Sequence, residues 1–170
     1  MSAEDNKNQI IDKITDISKL SYDQEMDRHK QLLNKSDNLI KYISTIFVIV
    51  SVIFPFALNN KIVSVWVILF IYLFICAPII LSLYFSIKVQ KLRDVRIFPT
   101  GDKVIELLKE NPAELGTIDK IKNKIISYYS AASDSLEKCN NDMSNWLRNS
   151  HNFYLLSLVF IIISMIILVA

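Results

Sequence analysis

The pattern of apolar and polar positions divides this chain into three uncharged runs separated by polar segments. Tyr42 to Leu58 carries no charge over 17 residues. Asn59-Asn60-Lys61 interrupts it, and Ile62 to Ile87 is uncharged again over 26 residues. Phe153 to Ala170 is the third run, of 18 residues. A soluble domain of 170 residues has little room to bury such runs, whereas lipid accepts them readily. The expected fold is therefore an all-α membrane protein. Three transmembrane helices extend as long helices into a cytoplasmic helical bundle. The expected division is 1–41 as an N-terminal helix, 42–87 as a transmembrane hairpin, 88–152 as a second polar helical region and 153–170 as the last transmembrane helix.

The first run is short for a span, but Leu39 and Ile40 extend it and Lys41 can snorkel. A turn as short as Asn59-Asn60-Lys61 makes the second helix antiparallel to the first. Pro55 and Pro78 lie inside apolar runs, where proline kinks or stops a helix. Structural kink and gating feature stay open for both. Trp66, Tyr72 and Tyr84 suit interfacial anchoring or packing.

The polar segments also read as helix. Ile10, Ile14, Ile17 and Leu20 or Tyr22 form a stripe, continued by Met26, His29, Leu33, Asp37, Ile40 and Ser44. No Pro or Gly occurs before Pro55, so one helix runs into the membrane, with room for a break near Leu20–Asp23. Phe98-Pro99-Thr100-Gly101 is a clear stop. Asp102 caps a short helix, Lys103 to Glu110. Asn111-Pro112 and Gly116-Thr117 bracket the next turn. From Ile118 a second long stripe begins: Ile118, Ile121, Ile125, Tyr128, Ala132, Ser135, Cys139, Asp142, Trp146, Asn149 and Phe153, widened by Leu136 and Met143. The part before the membrane is about 50 Å long as a helix. Ile118, Ile121, Ile125, Tyr128, Ala132, Cys139 and Trp146 are the expected packing residues, toward the N-terminal helix or a second copy. The polar members leave water, a partner or a ligand open at their positions.

Charge then sets the orientation. Lys30, Lys35 and Lys41 precede the first span, Lys88, Lys91, Arg93 and Arg96 follow the second, and only Lys61 lies between. The positive-inside rule places the N-terminus and residues 88–152 in the cytoplasm and the C-terminus on the far side. The same cluster attracts anionic lipid. With Lys120 and Lys124 it is also the candidate site for a phosphate-bearing ligand, with Tyr128, Tyr129 and Trp146 as stacking rings. Core packing is the favoured role of Tyr128 and Trp146, since both fall on the stripe.

Overall balance is +2, from 19 basic and 17 acidic side chains, which argues against broad nucleic-acid binding. Residues 1–41 hold eight acidic and seven basic side chains and do not resemble a signal peptide. Cys76 and Cys139 fall at different depths and are not expected to pair. His29 and His151 occur singly, Gly101 and Gly116 are the two glycines, and no catalytic or metal motif stands out. The expectation is a non-enzyme with no cofactor. Ser44, Thr45, Ser51, Ser64, Ser82, Ser86, Ser157 and Ser164 lie in the apolar runs and form no visible filter. Bonding back to their own helices is the simple reading for most of them.

Three stretches carry a resemblance. They are Leu32-Leu33-Asn34-Lys35-Ser36-Asp37-Asn38-Leu39 entering the membrane, the hairpin with its positive exit at Lys88 to Arg96, and Ser127-Tyr128-Tyr129 with Ala131-Ala132 and Asn140-Asn141 leading into the last helix. Together they resemble the small multi-helix transmembrane effectors of bacterial antiphage systems, the SLATT-like group and the cyclic-pyrimidine system effectors. The resemblance implies a homo-oligomeric, pore-forming effector in the bacterial inner membrane. A nucleotide or short oligonucleotide made by a partner enzyme would gate it. A non-catalytic anchor or scaffold, and a holin-like lytic protein, are the other classes left open.

Overall fold

A computed structural model describes residues 3–58, 64–92 and 118–169, with side chains over 9–55, 64–92 and 120–167. They form three α-helices: α1 (Ala3–Leu58), α2 (Val65–Lys91) and α3 (Ile118–Val169). Each holds a stretch long and apolar enough to cross a membrane. The all-α expectation holds among the described residues. The turn at Asn59–Lys61, the stop at Phe98–Gly101, the short helix at Lys103–Glu110 and the turns through Pro112 and Gly116 lie outside them. α1 runs unbroken through Leu20–Asp23 and continues past Pro55 to Leu58. Pro78 is buried inside α2, where it leaves the Phe74 carbonyl without its usual amide donor.

The chain divides into two compact units. The first takes Met1–Lys30 and Asp94–Asn141, and the second Gln31–Arg93 and Asp142–Ala170. In the first unit, α1 and α3 pack in parallel. Asp12 meets Lys122, Ser21 meets Ser133 and His29 meets Asn140, at offsets of 110, 112 and 111 residues. A constant offset means that both chains rise together. The seam between them is largely polar. Ser21 and Ser133 share a 3.0 Å bond, the Tyr22 and Tyr129 rings sit 5.8 Å apart, and Leu136 is fully buried.

Here the structure corrects the first stripe. Ile10, Ile14, Ile17 and Leu20 are 53, 44, 65 and 57% exposed and Ile11 is buried instead, while Tyr22, the alternative to Leu20, and His29 are buried as the stripe expects. The seam is built from Ser, His and Asn, which hydrogen-bond across it, and from a pair of Tyr rings in contact, so the isoleucine-rich face is left outward. α3 shows the same shift. Ser133, Leu136 and Asn140 are buried in the first unit, and Met143, Ser150, Ser157 and Ser164 in the second. Leu136 and Met143 are buried as expected, while Ser133, Asn140 and Ser150 lie one residue beyond the expected Ala132, Cys139 and Asn149. Ile121, Ile125, Tyr128, Ala132, Cys139 and Trp146 flank the seam half-buried, Ser135 and Asp142 are exposed, and the Ile118 side chain lies outside the description.

In the second unit α2 runs antiparallel to both neighbours. Leu33 meets Gln90, Ser36 meets Ser86 and Phe54 meets Tyr72, so rising numbers on α1 meet descending numbers on α2. Phe85 stacks on Trp146 and Phe153, while the earlier Phe74 meets the later Phe160. Leu39, Ile43, Val50, Ile75 and Ile79 form the apolar core. Of the most apolar window of each helix, 33% is buried in α2 but 17% in α1 and in α3. α2 is thus the best covered span. Most of the apolar surface of the other two faces outward, as lipid contact requires. No disulfide joins Cys76 and Cys139.

Candidate functional site

Four serines from three helices meet in the second unit. Ser36, Ser82, Ser86 and Ser150 each have no exposed surface. Their sequence positions are permissive: Ser82 and Ser86 are four apart on one face of α2, and small residues at that spacing let helix backbones approach closely. The Ser82 hydroxyl donates to the Ser150 carbonyl at 2.7 Å, and the Ser150 hydroxyl is 2.7 Å from the Ser82 carbonyl. Ser150 and Ser86 hydroxyls are 2.7 Å apart. The Ser36 hydroxyl donates to the Ser86 carbonyl at 3.1 Å. One layer therefore ties α1, α2 and α3 together, at the end of the uncharged run of α2 and shortly before those of α1 and α3. Thr45, Ser51, Ser157 and Ser164 do bond back to their own helices, at 2.6–2.9 Å. Ser82 and Ser86 depart from that simple reading because each faces another helix.

Lys88 lies just beyond this layer. Its ammonium is 4.2 Å from the centroid of the Trp146 ring and 5.0 Å from that of Tyr84. Phe85 stacks on Trp146 at 5.5 Å and on Phe153 at 5.6 Å. The aromatic cluster packs α2 onto α3 and holds the cation, in keeping with a packing role for Trp146. Replacing Lys88 with Met keeps the aliphatic stem and is expected to cost about 0.5–1 kcal/mol in thermal unfolding in detergent, the size of a partly exposed cation–π contact. Of the other candidate ligand residues, Lys91 is exposed at the end of α2, Lys120 is exposed at the start of α3 and Lys124 is half-buried. Lys88 and Lys91 belong to the second unit, Lys120 and Lys124 to the first. Arg93 and Arg96 lie outside the described residues.

A cleft between α1 and α3 in the second unit was not visible in the sequence. It encloses about 610 Å³. Lys35, Asn38 and Tyr42 line one wall, at spacings of three and four on α1. Arg148, His151 and Tyr154 line the other, at spacings of three on α3. Leu39 and Leu147 belong to its apolar floor. The His151 and Tyr154 rings stack at 6.3 Å. Arg148 donates one bond, 3.3 Å, to Asn145 of its own helix. No acidic side chain lines the cleft among the described residues. The sequence signal was weak, since the walls lie about a hundred residues apart and each shows one or two cations.

The first unit holds a buried polar network. Asn140 has no exposed surface and His29 is 5% exposed. The Asn140 amide nitrogen donates to the Glu25 carbonyl at 2.8 Å and to the Glu25 carboxylate at 2.7 Å. Its oxygen is then the acceptor, so the 2.9 Å contact with His29 Nδ1 places a proton on that nitrogen. His29 Nε2 has no partner among the described residues. Arg28 reaches both Glu25, at 3.5 Å, and Asn141, at 3.0 Å. The described residues contain no group of three or more His, Cys, Asp or Glu placed to hold a metal ion. In comparisons with protein-family models, curated proteins and solved structures, nothing matches this chain.

Proposed function

We propose that this multi-pass membrane protein is a non-catalytic effector of bacterial antiphage defence. It assembles as a homo-oligomer in the inner membrane and permeabilises it. A nucleotide or short oligonucleotide from a partner enzyme gates it, and the basic residues at the exit of α2 are where that signal acts. The observation that carries oligomerisation is the exposed row Ile10, Ile14, Ile17 and Leu20, which lies outside the uncharged spans. Such a row is costly in water and favours contact with another apolar face. A second observation bears on conduction. Thr45, Ser51, Ser82, Ser86, Ser157 and Ser164 bond within the chain, and the far half of the bundle holds a cavity of about 70 Å³ with an almost wholly apolar lining, including Val50, Ile68, Ile75 and Ile161. Such a space does not hold water well. A path for ions would therefore form between copies rather than through one.

The test is mass in mild detergent and dye leakage from liposomes, with and without cyclic mono-, di- and oligonucleotides. A discrete oligomer whose leakage changes with one nucleotide supports the reading. A monomer that never leaks moves the function to an anchor or scaffold, for which the exposed row would recruit a cytoplasmic partner. Leakage that ignores every nucleotide favours a holin-like protein. Changing Ile14 and Ile17 together to Glu is expected to lower the assembled mass while leaving helicity unchanged, because both side chains are already exposed in one copy. An unchanged mass would remove this row from the interface.

A further inference from the structure

We infer that the cleft between Lys35–Tyr42 of α1 and Arg148–Tyr154 of α3 is a binding site for the phosphate headgroup of an anionic membrane lipid. The inference is independent of the effector reading, since a scaffold or a lytic protein would carry the same site. Three observations support it. The first is depth. Ser86 bonds to Ser150 and accepts from Ser36, so these turns of α1 and α3 share one level. Lys35 and His151 are the immediate neighbours of Ser36 and Ser150, and the uncharged runs begin at Tyr42 and Phe153. The cations therefore sit about one to two turns from the hydrocarbon, at headgroup height.

The second is charge. Lys35 and Arg148 are exposed and show no ion pair among the described residues, and the cleft has no acidic lining there. A guanidinium offers a fork that matches phosphate oxygens, and Lys35 adds a mobile ammonium. His151 and Asn38 add further polar groups to the lining. The third is the lining itself. Most of it is apolar, and Tyr42 and Tyr154 are amphipathic rings of the type that settle at the membrane boundary. A volume of about 610 Å³ lies within the range of small-ligand clefts. An amphipathic ligand uses both the cations and the apolar floor, whereas a soluble phosphate would leave the floor wet.

The experiment uses the full chain, delipidated in detergent. Phosphatidylglycerol, phosphatidylcholine, glycerol phosphate and inorganic phosphate are added in turn. Melting temperature and retained lipid, counted by native mass spectrometry, are read. Phosphatidylglycerol is expected to raise the melting temperature and to be retained, and the other three are not. K35Q/R148Q is expected to weaken that binding about 30-fold, roughly fivefold per cation removed. K138Q, on an exposed face of the first unit, is expected to change nothing. Equal effects of phosphatidylcholine and phosphatidylglycerol would overturn the headgroup assignment, as would full affinity in K35Q/R148Q. A complete shift with glycerol phosphate or inorganic phosphate would overturn the lipid assignment in favour of a soluble ligand. The wild-type comparison needs no variant and decides the matter if K35Q/R148Q fails to fold.

Discussion

Replacing Asn140 with Leu is expected to cost about 3 kcal/mol of local stability in the first unit, a more than hundredfold loss of amide protection around residues 22–29 and 133–140. The cause is what the change leaves behind. Leu has the branching and heavy-atom count of Asn and is bulkier, so no cavity forms. His29 Nδ1 loses its acceptor while 5% exposed, and the Glu25 carbonyl and carboxylate lose a donor. Buried groups stripped of their partner cost more than the bond itself contributed. Glu25 retains the Arg28 contact at 3.5 Å, which limits its share. Replacing His29 and Asn140 together with Leu removes both halves of their bond, so the double variant is expected to lose less than N140L alone. Hydrogen exchange on the three variants checks this. A neutral N140L would mean that the seam is held by Leu136 and the tyrosines, and that the network adds nothing to stability.

Ser150→Leu is the second large effect. The serine layer works because its members are small. Ser150 is within 3.0 Å of both the hydroxyl and the carbonyl of Ser82 and 2.7 Å from the Ser86 hydroxyl. A leucine there must push α3 from α2 or adopt a strained rotamer, at about 1–3 kcal/mol for overpacking. Lost interhelical bonds add roughly 0.6 kcal/mol each. Ser150→Ala keeps the close approach and loses only the bonds, so its cost is expected to stay near 1 kcal/mol. Unfolding of both variants in mixed micelles separates the two contributions. Similar costs would show that hydrogen bonding, not close approach, sets the strength of the layer.

The exposed ion pairs deserve less weight. Lys122 reaches Asp12 at 2.6 Å and Lys30 reaches Asp27 at 3.4 Å, but solvent screens both. Pairs of this kind contribute between nothing and about 1 kcal/mol. The register of α1 on α3 is better assigned to the buried His29–Asn140 contact, with the part-buried Ser21–Ser133 contact beside it, because a slip would leave buried polar groups unpaired.

The three long helices apolar enough to cross a membrane, and the all-α class, were written in the sequence. Hydropathy sums over a local window and helix propensity needs no distant partner, so Tyr42–Leu58, Ile62–Ile87 and Phe153–Ala170 identify themselves. The rotation of each helix about its axis was not legible. Ile10, Ile14 and Ile17 spell an apolar face, yet they are exposed and Ile11 is buried; of that stripe Tyr22 and His29 do pack. Ser, His and Asn suit water and a matched partner equally well, and their choice is made by residues more than a hundred positions away. On α3 the same ambiguity moved the seam by one residue, from Ala132 and Cys139 to Ser133 and Asn140. The cleft is the extreme case. Lys35 and Arg148 are ordinary surface cations until the parallel packing of α1 and α3 places them on facing walls. Composition along the chain determined what crosses the membrane, because transfer into lipid is a sum over residues. The tertiary structure alone decided which side chains meet, because pairing depends on geometry between helices.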